Sequence, residues 1–135
     1  MITGINHVTL AVSDLSRSVD FYADLLGCRL IRRRPGSAYL KAGELWLCLS
    51  VDPEAESAER PDYTHLAFSV PASGFAAAEN RLKEAGVTTW KQNRSEGDSV
   101  YFLDPDRHKL EIHVGTLESR LASLAAAGEE PPETR

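Results

Sequence analysis

The chain has 135 residues, the size of one domain, and its 42% hydrophobic and 26% charged composition is that of an ordinary globular protein. A net charge of −5 disfavours a general nucleic-acid binder. The sequence shows neither a signal-peptide pattern nor an apolar stretch of transmembrane length, so we expect a cytoplasmic protein without a membrane partner. Its two cysteines, Cys28 and Cys48, do not make a disulfide framework, which fits a reducing compartment.

A pattern of one strand, one helix and three further strands occurs twice along the chain. The first copy, about residues 1–53, begins with an alternating strand at His7 and continues into a helical stripe that ends before a glycine. The stripe consists of Leu15, Val19, Tyr22 and Leu26. Three further strands are predicted at Cys28–Arg32, Ala38–Lys41 and Leu45–Val51.

The second copy, about residues 62–115, repeats this order after a polar, proline-bounded linker at Asp52–Asp62. A strand follows His65, and a helical stripe then runs through Phe75, Ala78, Leu82 and Ala85. The last strands are predicted at Thr88–Lys91, Ser99–Leu103 and Lys109–Val114. We therefore predict one domain over residues 1–122, a short helical pattern at Leu117–Leu124, and a disordered tail at residues 123–135.

Alternation in these strands separates apolar side chains from polar ones. Successive side chains of a strand point to opposite faces, so one face of each strand is apolar and packs on the helices. The opposite face collects ligand-type and aromatic side chains, which are unusual on a merely solvated sheet. Its members are His7, Thr9, Trp46, Cys48, Tyr63, His65, Glu111 and His113. We predict an α+β fold in which paired βαβββ modules form a cup-shaped sheet lined by this polar face.

Three residues of the polar face predict a metal site. His7 and His65 begin equivalent strands of the two copies, and Glu111 lies on the polar face of the last strand. Two imidazoles and one carboxylate bind a divalent metal and leave coordination positions open for substrate or water. Aligning ELWLCLS with KLEIHV places Trp46 at the fourth related position, opposite Glu111. His113 is a competing ligand, because it shares a face with Glu111.

The repeated pattern with these ligands resembles the vicinal oxygen chelate superfamily, which includes glyoxalase I and the extradiol dioxygenases. Over residues 1–122 the chain is similar to the fosfomycin-resistance thiol transferases of that superfamily. The similarity lies in INHVTLAVSDL, YLKAGELWLCLS, DYTHLAF, WKQNRSEGDSVYFLDPD and HKLEIHVGTLESRLA, of which WKQNRSEGDS is the most specific. It implies that a thiol, expected to be glutathione, opens the epoxide of fosfomycin and so confers antibiotic resistance.

The resemblance also implies the ions and the oligomer. Mn(II), or another divalent metal, would be bound by His7, His65 and Glu111. Potassium would lie in the loop that follows Lys91, whose carbonyl, hydroxyl and carboxylate oxygens suit a hard cation. Its implied ligands are Asn93, Ser95, Glu96, Gly97 and Ser99. A homodimer is implied in which the two chains exchange modules, so that each cup is built from both.

Roles for the other residues follow from the same resemblance. The oxygens of fosfomycin, an epoxide that carries a phosphonate, fill the open metal positions, and the metal acts as a Lewis acid on the epoxide oxygen. Thr9 hydrogen-bonds that oxygen, Tyr39 assists the incoming thiol, and Trp46, Cys48 and Tyr63 line the pocket. Cationic and hydroxyl side chains bind the phosphonate. These are Lys91, Arg94, Ser95, Ser99, Tyr101 and Arg120.

Two segments depart from the pattern and leave alternatives open. Arg34 and Gly36 stand where glutathione-using relatives generally carry Trp and Gln, and Arg32–Arg34 either grips the carboxylates of glutathione or forms a solvated basic turn. Glu44 stands where related fosfomycin hydrolases place a general base, so hydration of the epoxide is an alternative reaction. A ring-cleaving Fe(II) dioxygenase and a drug-sequestering protein of the same fold are alternatives from other classes.

Overall fold

Four strands of the first copy form one mixed sheet in the computed structural model, which describes residues 1–129. The strands are β1 (His7–Val12), β2 (Arg29–Arg34), β3 (Ser37–Ala42) and β4 (Leu45–Val51). They lie in the order β1-β4-β3-β2. The outer strand β1 runs parallel to β4, whereas the other neighbours are antiparallel.

The second copy forms a second sheet with the same plan. Its strands are β5 (Leu66–Ser69), β6 (Thr89–Lys91), β7 (Ser99–Leu103) and β8 (Lys109–His113). They lie in the order β5-β8-β7-β6, again with one parallel pair, β5 and β8. The predicted α+β fold of paired βαβββ modules is therefore confirmed.

The helices connect the strands as predicted, with two differences at their ends. In the first copy a single α-helical turn, α1 (Leu15–Val19), continues as a π-helix over Asp20–Leu25. In the second copy α2 spans Phe75–Glu84. The last helix, α3 (Leu117–Ala126), extends past residue 123, where the tail was predicted to begin. The rest of that predicted tail, from residue 130, lies outside the described residues.

One apolar core joins the two copies. Leucines of β3 and β4 pack with α1 and Tyr22 from the first copy, and with Leu82 and residues of β7 and β8 from the second. Apart from Tyr22, its fully buried side chains are contributed by the apolar faces of the two sheets, which confirms the alternation in the sequence. Because this shared core lies on the helix side of both sheets, their polar faces point away from it. No helix within residues 1–129 is long and apolar enough to cross a membrane.

Two buried aspartates of the β7–β8 turn tie the second copy to the first. Asp106, which is 0% exposed, accepts hydrogen bonds from the backbone N–H and the hydroxyl of Ser13. Asp104 accepts a hydrogen bond of 2.6 Å from the hydroxyl of Tyr22 and two more from backbone N–H groups. Burial raises the pKa of Asp104, and burial next to Asp104 raises the pKa of Tyr22 well above its usual value. A buried carboxylate is stable only with such donors.

Replacing Tyr22 with phenylalanine will therefore destabilise the fold. We expect a loss of about 1–2 kcal/mol at pH 7, because the ionised Asp104 loses a donor in a buried site. The Tyr22 hydroxyl lowers the pKa of Asp104, so its removal raises that pKa further. The loss is then largest above the pKa of Asp104 and shrinks as the pH falls through it. Urea unfolding of both proteins between pH 4 and pH 8 measures this, and a loss that does not depend on pH contradicts it.

Candidate metal centre

Two predicted ligands meet on the polar face of the second sheet. Glu111 lies on β8 and is 6% exposed, and His65 immediately precedes β5, the parallel neighbour of β8. The register pairs Ala67 with Glu111, so His65 and Glu111 share the polar face. Their atoms His65 Nε2 and Glu111 Oε1 lie 3.1 Å apart.

The hydrogen bonds of His65 make this pair suitable for a cation. Its Nδ1 lies 2.8 Å from the carbonyl oxygen of Tyr63, which only accepts, so the ring proton is on Nδ1. A neutral ring therefore presents the lone pair of Nε2 to a buried carboxylate oxygen. Two electron-rich atoms at this distance repel each other unless a proton or a metal ion lies between them. A backbone carbonyl on the outer nitrogen is the usual support of a metal-binding histidine.

The second oxygen of Glu111 is fixed by Ser99 and His113. The hydroxyl of Ser99, on β7, lies 2.6 Å from Glu111 Oε2 and 2.7 Å from His113 Nδ1. His113 Nδ1 is 3.5 Å from the same carboxylate oxygen. A side chain at Gly97 or Gly115 would overlap the His113 ring, since an added Cβ would come within 2.9 Å of it. The Ser99 hydroxyl thus supports the Glu111 oxygen that does not face His65, and His113 in turn positions that hydroxyl.

Aromatic side chains and one lysine surround this pair. Tyr63 and Tyr101 pack edge-on against His65, with ring centroids 4.9 and 5.9 Å away. Lys91 donates a hydrogen bond to the Tyr63 hydroxyl and lies 4.7 and 4.8 Å from the centres of the two tyrosine rings. That hydrogen bond raises the pKa of Lys91, which keeps the ammonium charged for an anion.

Sequence reasoning missed Trp90 as a part of this wall. Its ring lies 5.4 Å from His65 and 5.2 Å from Tyr101, edge-on to both. Its indole N–H donates to the backbone carbonyl of Leu110 on β8, which holds β6 against the sheet. The only sequence feature that could have indicated this role of Trp90 is its position next to Lys91 in a three-residue strand.

The loop after β6 is closed by its own side chains. Asn93 donates to the carbonyl of Gly97 at 2.8 Å and accepts from Ser95. Glu96 pairs with Arg120 of α3 at 3.3 Å, so this arginine is bound to the loop. Arg94 and Ser95 are exposed. The predicted potassium ligands are therefore adjacent, except that the Ser99 hydroxyl lies against Glu111.

The remaining predicted residues lie on the polar face of the first sheet. His7 stacks on Trp46, with ring centroids 4.4 Å apart, and Tyr39 meets Trp46 edge-on at 5.4 Å. His7 Nδ1 lies 2.7 Å from the side-chain oxygen of Asn6, which leaves Nε2 available to a metal. Thr9 follows His7 on this face, and the register pairs it with Cys48.

The register corrects the position assigned to Trp46. His7 pairs with Trp46 and Thr9 with Cys48, whereas Ala67 pairs with Glu111. Since Thr9 and Ala67 each stand two residues after a candidate histidine, the equivalent of Glu111 is Cys48. The alignment that placed Trp46 opposite Glu111 was therefore wrong by two residues, because length alone does not fix the register of parallel strands.

Glu44 is a solvent-exposed turn residue. It occupies the turn between β3 and β4, and its carboxylate is fully exposed, 3.9 Å from the ammonium of Lys41. The turn borders a cavity of about 640 Å³ whose other wall includes Leu82 and Ala78 of α2. The structure therefore favours a solvent-facing Glu44 over a general base in the site.

The two polar faces form separate half-sites within one chain. Among residues 1–129, no three His, Cys, Asp or Glu side chains lie close enough together to hold a metal ion. His65 and Glu111 are together, and His7 is not with them. Each half-site is open, since His7 and Tyr63 are exposed and Trp46 is 38% exposed.

Comparison with known proteins identifies the family. Residues 4–112 match the Glyoxalase/Bleomycin resistance protein/Dioxygenase superfamily. The chain is 54% identical to glutathione transferase FosA of Serratia marcescens over 125 residues, which cover 91% of this chain and 89% of that protein. It is 41% identical to metallothiol transferase FosB of Shouchella clausii, over 90% of this chain and 87% of that one.

Solved structures agree with these relatives. The fosfomycin resistance protein FosX of Listeria monocytogenes, in a variant bound to Mn(II) and 1S,2S-dihydroxypropylphosphonic acid, matches with a TM-score of 0.78 and 30% identity. That match covers 90% of this chain and 99% of FosX. The chain therefore belongs to the glyoxalase/bleomycin resistance protein/dioxygenase superfamily and, within it, to the fosfomycin-resistance thiol transferases.

Proposed function

We propose that this protein inactivates fosfomycin by adding a thiol, with glutathione as the thiol, at a divalent-metal site formed by His7, His65 and Glu111. The main support for this proposal is the contact between His65 Nε2 and the buried Glu111 carboxylate. The other ring nitrogen of His65 is bonded to the Tyr63 carbonyl, and the other oxygen of Glu111 is bonded to the Ser99 hydroxyl. The likeness to FosA and FosB supports thiol transfer over ring cleavage or drug binding.

A divalent metal held by His7, His65 and Glu111 would act as a Lewis acid on the epoxide oxygen. We assign Mn(II) to it, because mixed imidazole and carboxylate ligands suit that ion and the similar FosX structure holds it. We assign potassium to the loop of Asn93–Ser99, where backbone and side-chain oxygens are adjacent. We place the reaction in the cytoplasm, where the glutathione pool is reducing.

The residues of the chain orient the substrate and the nucleophile. The Lys91 ammonium and the hydroxyl of Tyr101 bind the phosphonate, with Arg94, Ser95 and Arg120 at the adjoining loop. The hydroxyl of Ser99, also predicted to bind the phosphonate, instead donates to Glu111. Thr9 donates a hydrogen bond to the epoxide oxygen, and the hydroxyl of Tyr39 positions the thiol. Sulfur then bonds to one epoxide carbon as that carbon–oxygen bond breaks, and the proton lost by the thiol ends on the new hydroxyl.

A homodimer completes the site in this proposal. His7, Thr9, Tyr39, Trp46 and Cys48 of one chain face His65 and Glu111 of the other. Three observations support it: the polar faces point away from the shared core, β1 and β5 are edge strands, and large apolar side chains are exposed next to the half-sites. The exposed side chains are Ile2, Ile5, Leu117 and Leu121.

Hydration is a second candidate, favoured by the dihydroxypropylphosphonic acid bound in the similar FosX structure. Mass spectrometry of the product formed from fosfomycin, Mn(II) and excess glutathione separates the two reactions. We expect the glutathione adduct as the main product, and the same adduct from a Glu44→Gln variant, because the Glu44 carboxylate is fully exposed to solvent. A product that is only the diol, and that Glu44→Gln abolishes, overturns thiol transfer.

A further inference from the structure

Strand β2 is an exposed basic edge on a chain of net charge −5. Its sequence is RLIRRR, and all six residues are exposed. Arg33 donates a hydrogen bond of 2.6 Å to the hydroxyl of Ser16. Among the described residues, Arg29, Arg32 and Arg34 have no carboxylate within 4.0 Å. Three guanidinium groups are thus available to an anion.

A β-bulge decides which face these arginines occupy. Leu30 pairs with Leu40 on β3, and Arg32 pairs with the next residue along, Tyr39, so that Ile31 is the extra residue. In a regular strand Ile31 and Arg33 would share the face of Tyr39. With the bulge, Arg32 and Arg34 share that face, and Arg33 turns to the side of α1, as its bond to Ser16 shows.

The bulge thereby extends the polar face of the first sheet with positive charge. One row of directly opposed residues runs across four strands: Arg32, Tyr39, Cys48 and Thr9. A second row begins with Arg34 and Ser37, and a third with Arg29 and Lys41. Directly opposed residues point to the same face, with neighbouring strands about 4.8 Å apart. We call Arg29, Arg32 and Arg34 the arginine stripe.

We propose that the arginine stripe, through Arg32 and Arg34 above all, binds the carboxylates of the thiol co-substrate and selects an anionic thiol. The inference rests on the proposed function, which places the thiol at Tyr39, the strand partner of Arg32. Glutathione carries two carboxylates, and a guanidinium binds a carboxylate through two parallel hydrogen bonds.

Three charge-matched variants on one strand test this proposal: Arg32→Gln, Arg34→Gln and, as the control on the other face, Arg33→Gln. We expect the KM for glutathione to rise about tenfold in the first two and to stay within about twofold in the third. The KM for fosfomycin and kcat at saturating glutathione stay close to the wild-type values, because the stripe does not touch the epoxide. In calorimetric titration with glutathione alone, we expect Arg32→Gln and Arg34→Gln to bind glutathione more weakly than the wild type, and Arg33→Gln to bind it about as tightly.

The outcomes separate this proposal from the one on which it rests. If all three variants change glutathione affinity equally, or none does, the stripe is only a charged strand edge and the inference is wrong, whereas adduct formation still supports thiol transfer. If glutathione binds through Arg32 and Arg34 but no adduct forms, the stripe stands and thiol transfer fails. Melting temperatures equal to that of the wild type confirm that the variants are folded.

Discussion

Replacing Glu111 with glutamine is expected to lower kcat/KM for fosfomycin on the order of a thousandfold or more, because it would remove a charged ligand of the proposed metal site and keep the shape of the side chain. The carboxylate is buried, and both of its oxygens are within hydrogen-bond distance of His65 or Ser99. Glutamine keeps one acceptor oxygen and places an N–H₂ group on the other side. That group cannot bind a cation and cannot accept from the Ser99 hydroxyl.

Kinetics with saturating glutathione, together with Mn(II) affinity, measure this effect. Glu59→Gln is the matched control, since Glu59 is exposed in the linker and should leave both values unchanged. Thermal unfolding of the metal-free variants shows whether the fold is intact. A Glu111→Gln protein that is folded, binds Mn(II) as tightly as the wild type and retains activity contradicts the assigned ligand set.

Two inactive variants are expected to restore activity when they are expressed together. His7→Ala damages the half-site on the first sheet, and Glu111→Gln damages the half-site on the second. In a dimer with exchanged modules, a mixed pair has one site with both changes and one site with neither. Random pairing makes about half of the dimers mixed, each with one intact site, so roughly a quarter of wild-type activity returns.

The control for this experiment uses two changes on the same sheet. Co-expressed His65→Ala and Glu111→Gln chains always leave one change in each site, so no activity should return. Differently tagged chains allow the mixed dimer to be purified and its specific activity to be measured. Purified mixed dimers of His7→Ala with Glu111→Gln that stay inactive, or controls that recover as well, show that each site is built within one chain.

The sequence predicted the parts of this protein that depend on periodicity. Period-two alternation identified the polar face, and every predicted strand lies within about two residues of the observed one. The repeat identified His7 and His65 as equivalent, since each precedes or begins the outer strand of a sheet. Strand parity alone placed His65 and Glu111 on one face, where their side chains lie 3.1 Å apart.

Features that depend on register or on helix type were not predictable in this way. A π-helix at Asp20–Leu25 buries the same Tyr22 that an α-helical stripe would, so periodicity does not distinguish the two. The bulge at Ile31 moves Arg32 to the opposite face of the strand, and no residue type in the sequence indicates the bulge. Trp46 was misplaced because β1 and β4 are parallel, so that no tight turn between them fixes their register.

The central claim is that one metal ion is held jointly by His7 and by the pair of His65 and Glu111. Titration of the metal-free protein with Mn(II), followed by the electron paramagnetic resonance signal of the free ion, tests it most directly. We predict one tightly bound ion per chain in the wild type, and an affinity weaker by on the order of a hundredfold in His7→Ala. A folded His7→Ala protein that binds one Mn(II) per chain as tightly as the wild type would contradict the claim.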